Sequence, residues 1–228
     1  MGHEAKQRIY EQFARIGRAL SAPGRLDLLD LLTQGERPVD ALAELSEQSV
    51  ANASAHLHVL AAAHLVAQRR DGKRVYYRLA DPSVLTLWLS LRDTAEHQLA
   101  ELEGVAREYL EGADELEPTS REELLARMKD GTAMLIDVRP KEEFEQGHLP
   151  GALSVPLAGV DRWARETKVP KNKRVIAYCR GPYCVYAVKA VQKLAKRGID
   201  ASRLEDGVSE WRAAGLRIET ARPKGAAR

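Results

Sequence analysis

At 228 residues, with 44% hydrophobic and 30% charged side chains, the chain has room for two domains with a core each and is not a wholly disordered polymer. No apolar run approaches the roughly 20 residues that cross a bilayer, and Met1-Gly2-His3-Glu4-Ala5-Lys6 lacks the charged-then-apolar pattern of a secretory signal, so a cytoplasmic place and no membrane partner are expected. The net charge of +2 conceals an asymmetry: Arg69, Arg70, Lys73, Arg74 and Arg78 stand together against Asp71, whereas between Asp93 and Glu123 eleven acids face Arg107 and Arg121. Such a chain meets polyanions at one place only.

Taken in chain order, the first 82 residues read as helices followed by a hairpin. Ile9, Phe13, Ile16 and Leu20 recur at helical spacing until Ser21-Ala22-Pro23-Gly24 breaks the pattern. Leu26, Leu28, Leu29, Leu31 and Leu32 predict a second helix ending at Gly35, and a short third runs from Pro38, suited to a first turn, to Leu45. A fourth begins at Ser49, a good N-cap, and ends near Ala62. Two strand-like runs, Leu65 to Arg69 and Arg74 to Leu79, flank Asp71-Gly72, a strong hairpin signal. That order predicts a winged helix-turn-helix.

On the fourth helix Val50, Ala53, Leu57 and Leu60 share a face and are expected to pack inward. The opposite face then presents Asn52, Ala55, His56 and His58, with Ser54 at its edge and Ser49 at its start. Short polar side chains let a helix lie close in the major groove of double-stranded DNA, where asparagine pairs with adenine. Arg69, Arg70, Lys73 and Arg74 on the hairpin offer phosphate contacts that add affinity without base choice. Residues 83 to about 112 are predicted as one long amphipathic helix with Leu85, Leu89, Leu99 and Leu102, serving with the N-terminal helix as a dimer interface. The domain organisation predicted is residues 1–112 for DNA binding and dimerisation, a linker at 113–118, an α/β domain at 119–222 and a tail at 223–228.

From Thr119 strands and helices alternate. Ala133 to Val138 and Arg174 to Tyr178 are buried-strand runs, and Val185 to Lys196 has helical periodicity ending at Gly198, which predicts a parallel sheet with helices on both faces. The two cysteines, Cys179 and Cys184, bracket Arg180, Gly181, Pro182 and Tyr183 between a strand end and a helix start. A helix N-terminus and a neighbouring cation, Arg180, can draw a thiol pKa from about 8.5 towards neutrality, which makes Cys179 the candidate nucleophile. In a reducing compartment a permanent structural disulfide is not expected, and two thiols cannot build a four-thiolate zinc site. Cys184 is read either as a resolving thiol that attacks an oxidised or persulfidated Cys179 or as a half-buried spare thiol.

Two resemblances follow from these motifs. Leu20-Ser21-Ala22-Pro23-Gly24-Arg25, Ser54-Ala55-His56-Leu57-His58-Val59-Leu60 and Arg69-Arg70-Asp71-Gly72-Lys73-Arg74-Val75-Tyr76-Tyr77-Arg78-Leu79 resemble the ArsR-type regulators, which implies a homodimeric repressor released by a small inorganic signal. The cysteine pair of the metal-sensing members has no counterpart in Asp40-Ala41-Leu42-Ala43-Glu44-Leu45, and Asp93, Glu96, His97 and Glu101 do not match the family's dimer-interface spacing, so no metal is expected. Leu135-Ile136-Asp137-Val138-Arg139-Pro140-Lys141-Glu142-Glu143-Phe144, Gly147-His148-Leu149-Pro150-Gly151-Ala152, the Cys179 to Cys184 loop and Leu204-Glu205-Asp206-Gly207-Val208-Ser209-Glu210-Trp211 resemble a single rhodanese domain. Asp206 stands where that family usually has glycine.

The second resemblance implies that Cys179 takes sulfane sulfur from thiosulfate or polysulfide as a persulfide, with the amides of residues 180–184 cradling the outer sulfur. Phosphatase chemistry would need an arginine near Val185, and Val185-Tyr186-Ala187 offers none; Asp137, Arg139 and His148 are expected to hold loops. No cofactor is expected. The leading function is a regulator that senses reactive sulfur or oxidant through Cys179. The alternatives are a sulfurtransferase whose helical part serves dimerisation, and thiol-dependent arsenate detoxification using Cys179 and Cys184.

Overall fold

The computed structural model describes residues 2–110 and 118–220. The predicted linker, apart from Pro118, and the tail at 223–228 lie outside them. Contacts divide the chain into two units, Met1–Leu91 and Arg92–Arg228. That division falls inside a helix that the sequence reading gave whole to the first domain.

In the first unit α1 (Gly2–Leu20), α2 (Pro23–Thr33), α3 (Val39–Leu45) and α4 (Val50–Ala62) surround a core of Leu28, Leu29, Leu42, Leu57 and Leu60. Strand β1 (Arg37–Pro38) pairs antiparallel with β3 (Arg74–Leu79), which pairs with β2 (Val66–Asp71). Pro38 therefore lies on an edge strand and serves as the N-cap position of α3 rather than its first turn. The register Asp71↔Arg74 leaves Gly72 and Lys73 as the hairpin loop, and Gly72 takes φ +58°, as the first central residue of a type II′ turn requires. This is the winged helix-turn-helix that the element order predicts.

Two expectations are corrected here. Val50 is 52% exposed, because the face it shares with Ala53, Leu57 and Leu60 is buried only from Ala53 onward. The single helix expected over 83–112 is two, α5 (Pro82–Gln98) and α6 (Ala100–Tyr109). Leu99 between them is extended (φ −111°, ψ 93°) and breaks the ladder without Gly or Pro.

The second unit is built on a parallel sheet of order β5-β4-β6-β7, with β4 at Ala133–Asp137, β5 at Leu153–Ser154, β6 at Arg174–Tyr178 and β7 at Ala201–Arg203. Helix α7 (Arg121–Lys129) precedes β4, α8 (Lys141–Gln146) and α9 (Val160–Glu166) flank β5, α10 (Val185–Ala195) joins β6 to β7, and α11 (Val208–Ala213) follows. Strand alternation sorts the core into two layers. Val175, Ala177 and Cys179 meet α10 through Ala187, Ala190, Val191 and Leu194. Ile176 and Tyr178 face Leu124 of α7, Leu149, Val208 and Trp211.

Candidate functional sites

On the first unit, the predicted contact residues fall on α4 and the hairpin. The Ser49 side chain accepts a hydrogen bond from Asn52 N at 3.1 Å and so caps α4. Asn52 and Ala55 are exposed, and the Asn52 amide donates to Gln48 Oε1 at 2.9 Å. Ser54 and His58 of α4 line one cleft of about 440 Å³ together with Arg69 and Arg70 of the hairpin. His56 is set apart, half-buried with its ring over Gly24: a Cβ there would lie 3.0 Å from His56 Nε2.

Lys73 sits exposed at the hairpin tip, and Arg74 is exposed 3.9 Å from Asp40. Arg69 is held differently. Its Nη2 lies 2.6 Å from Glu36 Oε1, and its guanidinium rests over the ring of Tyr76, its cross-strand neighbour, at 4.4 Å. Hydrogen bonding to Glu36 raises the Arg69 pKa above its ordinary value.

The second site forms at the carboxyl end of the parallel sheet. Strand β4 leads to its neighbour on one side, β5, and β6 to its neighbour on the other, β7, so the chain switches direction between β4 and β6, the usual ligand position in open α/β sheets. Cys179 stands there, directly after β6 and 2% exposed, and Cys184 occupies the N-cap position of α10. The two are joined as a disulfide, with Cα atoms 6.3 Å apart. Cys179 Sγ also lies 3.4 Å from the Cys184 carbonyl oxygen.

The loop between them is tightly seated. Arg180 points its guanidinium to the buried Glu143 of α8, Nη2 to Oε1 at 2.7 Å, so its charge is matched there. Gly181, Pro182 and Tyr183 are half-buried, and Tyr183 donates to Glu96 Oε1 at 2.8 Å. Burial and that carboxylate push the Tyr183 hydroxyl up to about 12.

Beneath the loop runs Gly207, where a Cβ would stand 2.4 Å from the Arg180 carbonyl oxygen and 2.8 Å from that of Cys179. Gly207 N donates to Glu210 Oε2 at 2.8 Å, and Glu210 Oε1 accepts from Arg92 Nη1 at 2.6 Å. In the sequence Gly207 and Glu210 are visible only as members of the Leu204–Trp211 motif, and nothing there marks Arg92.

The supporting residues are buried. Arg139 forms a bidentate pair with Asp137, both without exposed side-chain surface, and donates to the Gly147 carbonyl at 2.7 Å. His148 stacks on Phe144 at 3.7 Å. The Tyr178 hydroxyl accepts from Leu149 N at 3.1 Å, and burial pushes its pKa well above the ordinary value, so it stays neutral. Asp206 binds Arg121 at the start of α7 at 2.5 Å, a structural use for the residue that replaces glycine. Among the described residues no group of three or more His, Cys, Asp or Glu gathers to hold a metal ion, and no helix is long and apolar enough to cross a membrane.

With this geometry in place, comparison with known proteins defines the class. Residues 120–214 match the rhodanese-like domain family. The chain is 41% identical over 223 residues to the HTH-type transcriptional regulator Rv0324 of Mycobacterium tuberculosis, covering 97% of this chain and 96% of that one. It is 30% identical over 106 residues to a sulfurtransferase of Allochromatium vinosum, covering 46% and 94%. The winged helix-turn-helix DNA-binding domain of Mb0332 from Mycobacterium bovis, described as homodimeric and as a possible ArsR-family regulator, is 41% identical over 42% of this chain and 89% of its own, with a TM-score of 0.40. The chain belongs to the ArsR-type winged helix-turn-helix transcriptional regulators that carry a C-terminal rhodanese domain.

Proposed function

We propose that this regulator is a homodimeric repressor that senses reactive sulfur or oxidant through Cys179, with Cys184 as the resolving thiol. The observation that carries the reading is that the chain's two cysteines lie within bonding reach on one loop, between a buried strand and a helix start. A Cys179 thiolate attacks a polysulfide, forming a persulfide and leaving the polysulfide one sulfur atom shorter. The Cys184 thiolate then attacks Cys179 Sγ, and the outer sulfur departs as hydrosulfide while the two cysteines become a disulfide. The first amides of α10 favour both anionic sulfur species.

DNA contact is assigned to Ser49, Asn52, Ser54, Ala55 and His58 for the groove, with His56 held beside them over Gly24, and to Arg69, Arg70, Lys73 and Arg74 for phosphates. Dimerisation draws support from α1, where Ile9, Tyr10 and Phe13 stay exposed while Ile16 and Leu20 pack on the core. The test is the affinity of full-length protein for a duplex selected in vitro by the reduced protein, before and after polysulfide. Wild type is expected to lose at least tenfold and Cys179→Ser to lose nothing; equal affinity for wild type in both states sinks the sensing reading.

A second reading, favoured by the similarity to a sulfurtransferase, is catalytic turnover at Cys179. Thiosulfate:cyanide turnover decides it: steady turnover supports the enzyme, and persulfidation that stops at one equivalent supports the sensor.

A further inference from the structure

Helix α5 carries the Arg92–Glu96 pair one turn apart; Glu96 meets the cysteine loop at Tyr183, and Arg92 meets Glu210 of α11. Tyr183 lies inside the ring of residues that the disulfide closes, next to Cys184, and its hydroxyl donates to Glu96. Glu96 in turn lies 3.4 Å from Arg92, Arg92 binds Glu210, Glu210 accepts from Gly207 N, and Gly207 packs against the carbonyls of Cys179 and Arg180. The chain of contacts starts and ends on the cysteine loop, and α5 supplies two of its members.

Arg92 and Glu210 are largely buried, at 16% and 9% side-chain exposure, so solvent screens that pair little. A cavity of about 370 Å³ beside Tyr183, lined also by Glu96, Pro182, Leu102, Ala106 and Arg203, gives the ring room to swing. One turn before Arg92 on the same helix, Trp88 donates to Asp30 of α2 at 2.9 Å.

We propose that Tyr183 and Glu96 form a redox latch: the Cys179–Cys184 disulfide sets the Tyr183 hydroxyl on Glu96, and opening the disulfide releases α5 from the loop. The proposal rests on one part of the proposed function, that Cys179 and Cys184 form a disulfide that opens and closes. Closing the ring restricts the residue beside Cys184, so the hydroxyl is pre-positioned at Glu96. Opening needs two electrons from a dithiol reductant, which becomes a disulfide as Cys179 and Cys184 become thiols. By linkage, whatever factor the disulfide adds to the Tyr183–Glu96 contact, that contact adds to the disulfide. A hydrogen bond to a carboxylate corresponds to about tenfold, or about 30 mV for a two-electron couple.

The test uses full-length protein equilibrated in dithiothreitol redox buffers, with the disulfide quantified by mass after alkylation. Tyr183→Phe keeps the ring and removes only the hydroxyl, so the fold is retained; its disulfide is expected to be about tenfold easier to reduce. Glu96→Ala should match it, whereas Glu96→Gln, whose amide oxygen still accepts, should stay within about threefold of wild type. Hydrogen exchange of residues 92–98 should be faster in the reduced than in the oxidised wild type, and the difference should vanish in Tyr183→Phe.

An unchanged midpoint in Tyr183→Phe, or equal exchange in both redox states of wild type, overturns the latch. If both latch readouts hold while polysulfide leaves DNA affinity unchanged, the latch stands and the sensing reading falls. If DNA affinity responds while both readouts are flat, the sensing reading stands and the latch falls.

Discussion

Replacing Gly207 with alanine tests whether the cysteine loop is seated on backbone. The added Cβ would lie 2.4 Å from the Arg180 carbonyl oxygen, 2.5 Å from its carbon and 2.8 Å from the Cys179 carbonyl oxygen, all of them main chain with no flexible end to yield. Ordinary contact begins at 3.4 Å, so 3.4 less 2.4 leaves about 1 Å that one backbone must give up. The residue's own backbone, at φ −112° and ψ −168°, suits alanine, so the whole effect is steric. Overpacking of this kind costs about 1–3 kcal/mol, and a 1 Å displacement of reacting groups costs about a hundredfold in rate. Urea unfolding should show that loss of stability, and stopped-flow oxidation by polysulfide should show disulfide closure slowed about a hundredfold. A Gly207→Ala protein with wild-type stability and a closure rate within threefold of wild type would refute the reasoning.

Leu57→Ala removes a side chain with no exposed surface from the packed face of α4, and a loss of about 2–5 kcal/mol is expected in urea unfolding. Lys73→Ala, at the exposed hairpin tip, should lower the slope of log K against log salt for DNA by about one while leaving sequence preference intact. Asp161 binds Lys193 at 2.6 Å, which holds its carboxyl below the ordinary 3.8. A depressed folded pKa gives stability that is full above the ordinary value and lost as pH falls through the lower one. The urea midpoints of wild type and Asp161→Asn should therefore converge as pH drops from about 5 to 2, whereas a gap constant with pH would contradict it.

Local chemistry explains which parts were legible in the sequence. Asp71-Gly72 announces its hairpin because few residues take positive φ, and Ser49 announces α4 because its hydroxyl caps a helix. Cys179 is legible because the apolar run Val175-Ile176-Ala177-Tyr178 ends in a polar loop. The burial of Ala53, Leu57 and Leu60 follows from period, but the exposure of Val50 depends on what the other elements cover, which α4 does not encode alone. The break at Leu99 has no Gly or Pro to mark it. Arg92, Glu96, Glu143 and Glu210 read as ordinary surface charges, and only tertiary pairing brings them to the cysteine loop.

The hold of Glu36 on Arg69 has a consequence for selectivity among polyanions. A phosphate that reaches Arg69 must first displace a carboxylate already 2.6 Å away, so the arginine enters a complex by exchange rather than from bulk solvent. An exchange returns less free energy than a first contact, and it releases fewer condensed ions. Diffuse or poorly aligned anions would then find Arg69 occupied, while a duplex seated on α4 as proposed would bring its phosphate at high local concentration and win the competition. On the phosphate contact proposed for Arg69, Glu36 is a built-in competitor that would raise the threshold of the wing against loosely bound nucleic acid.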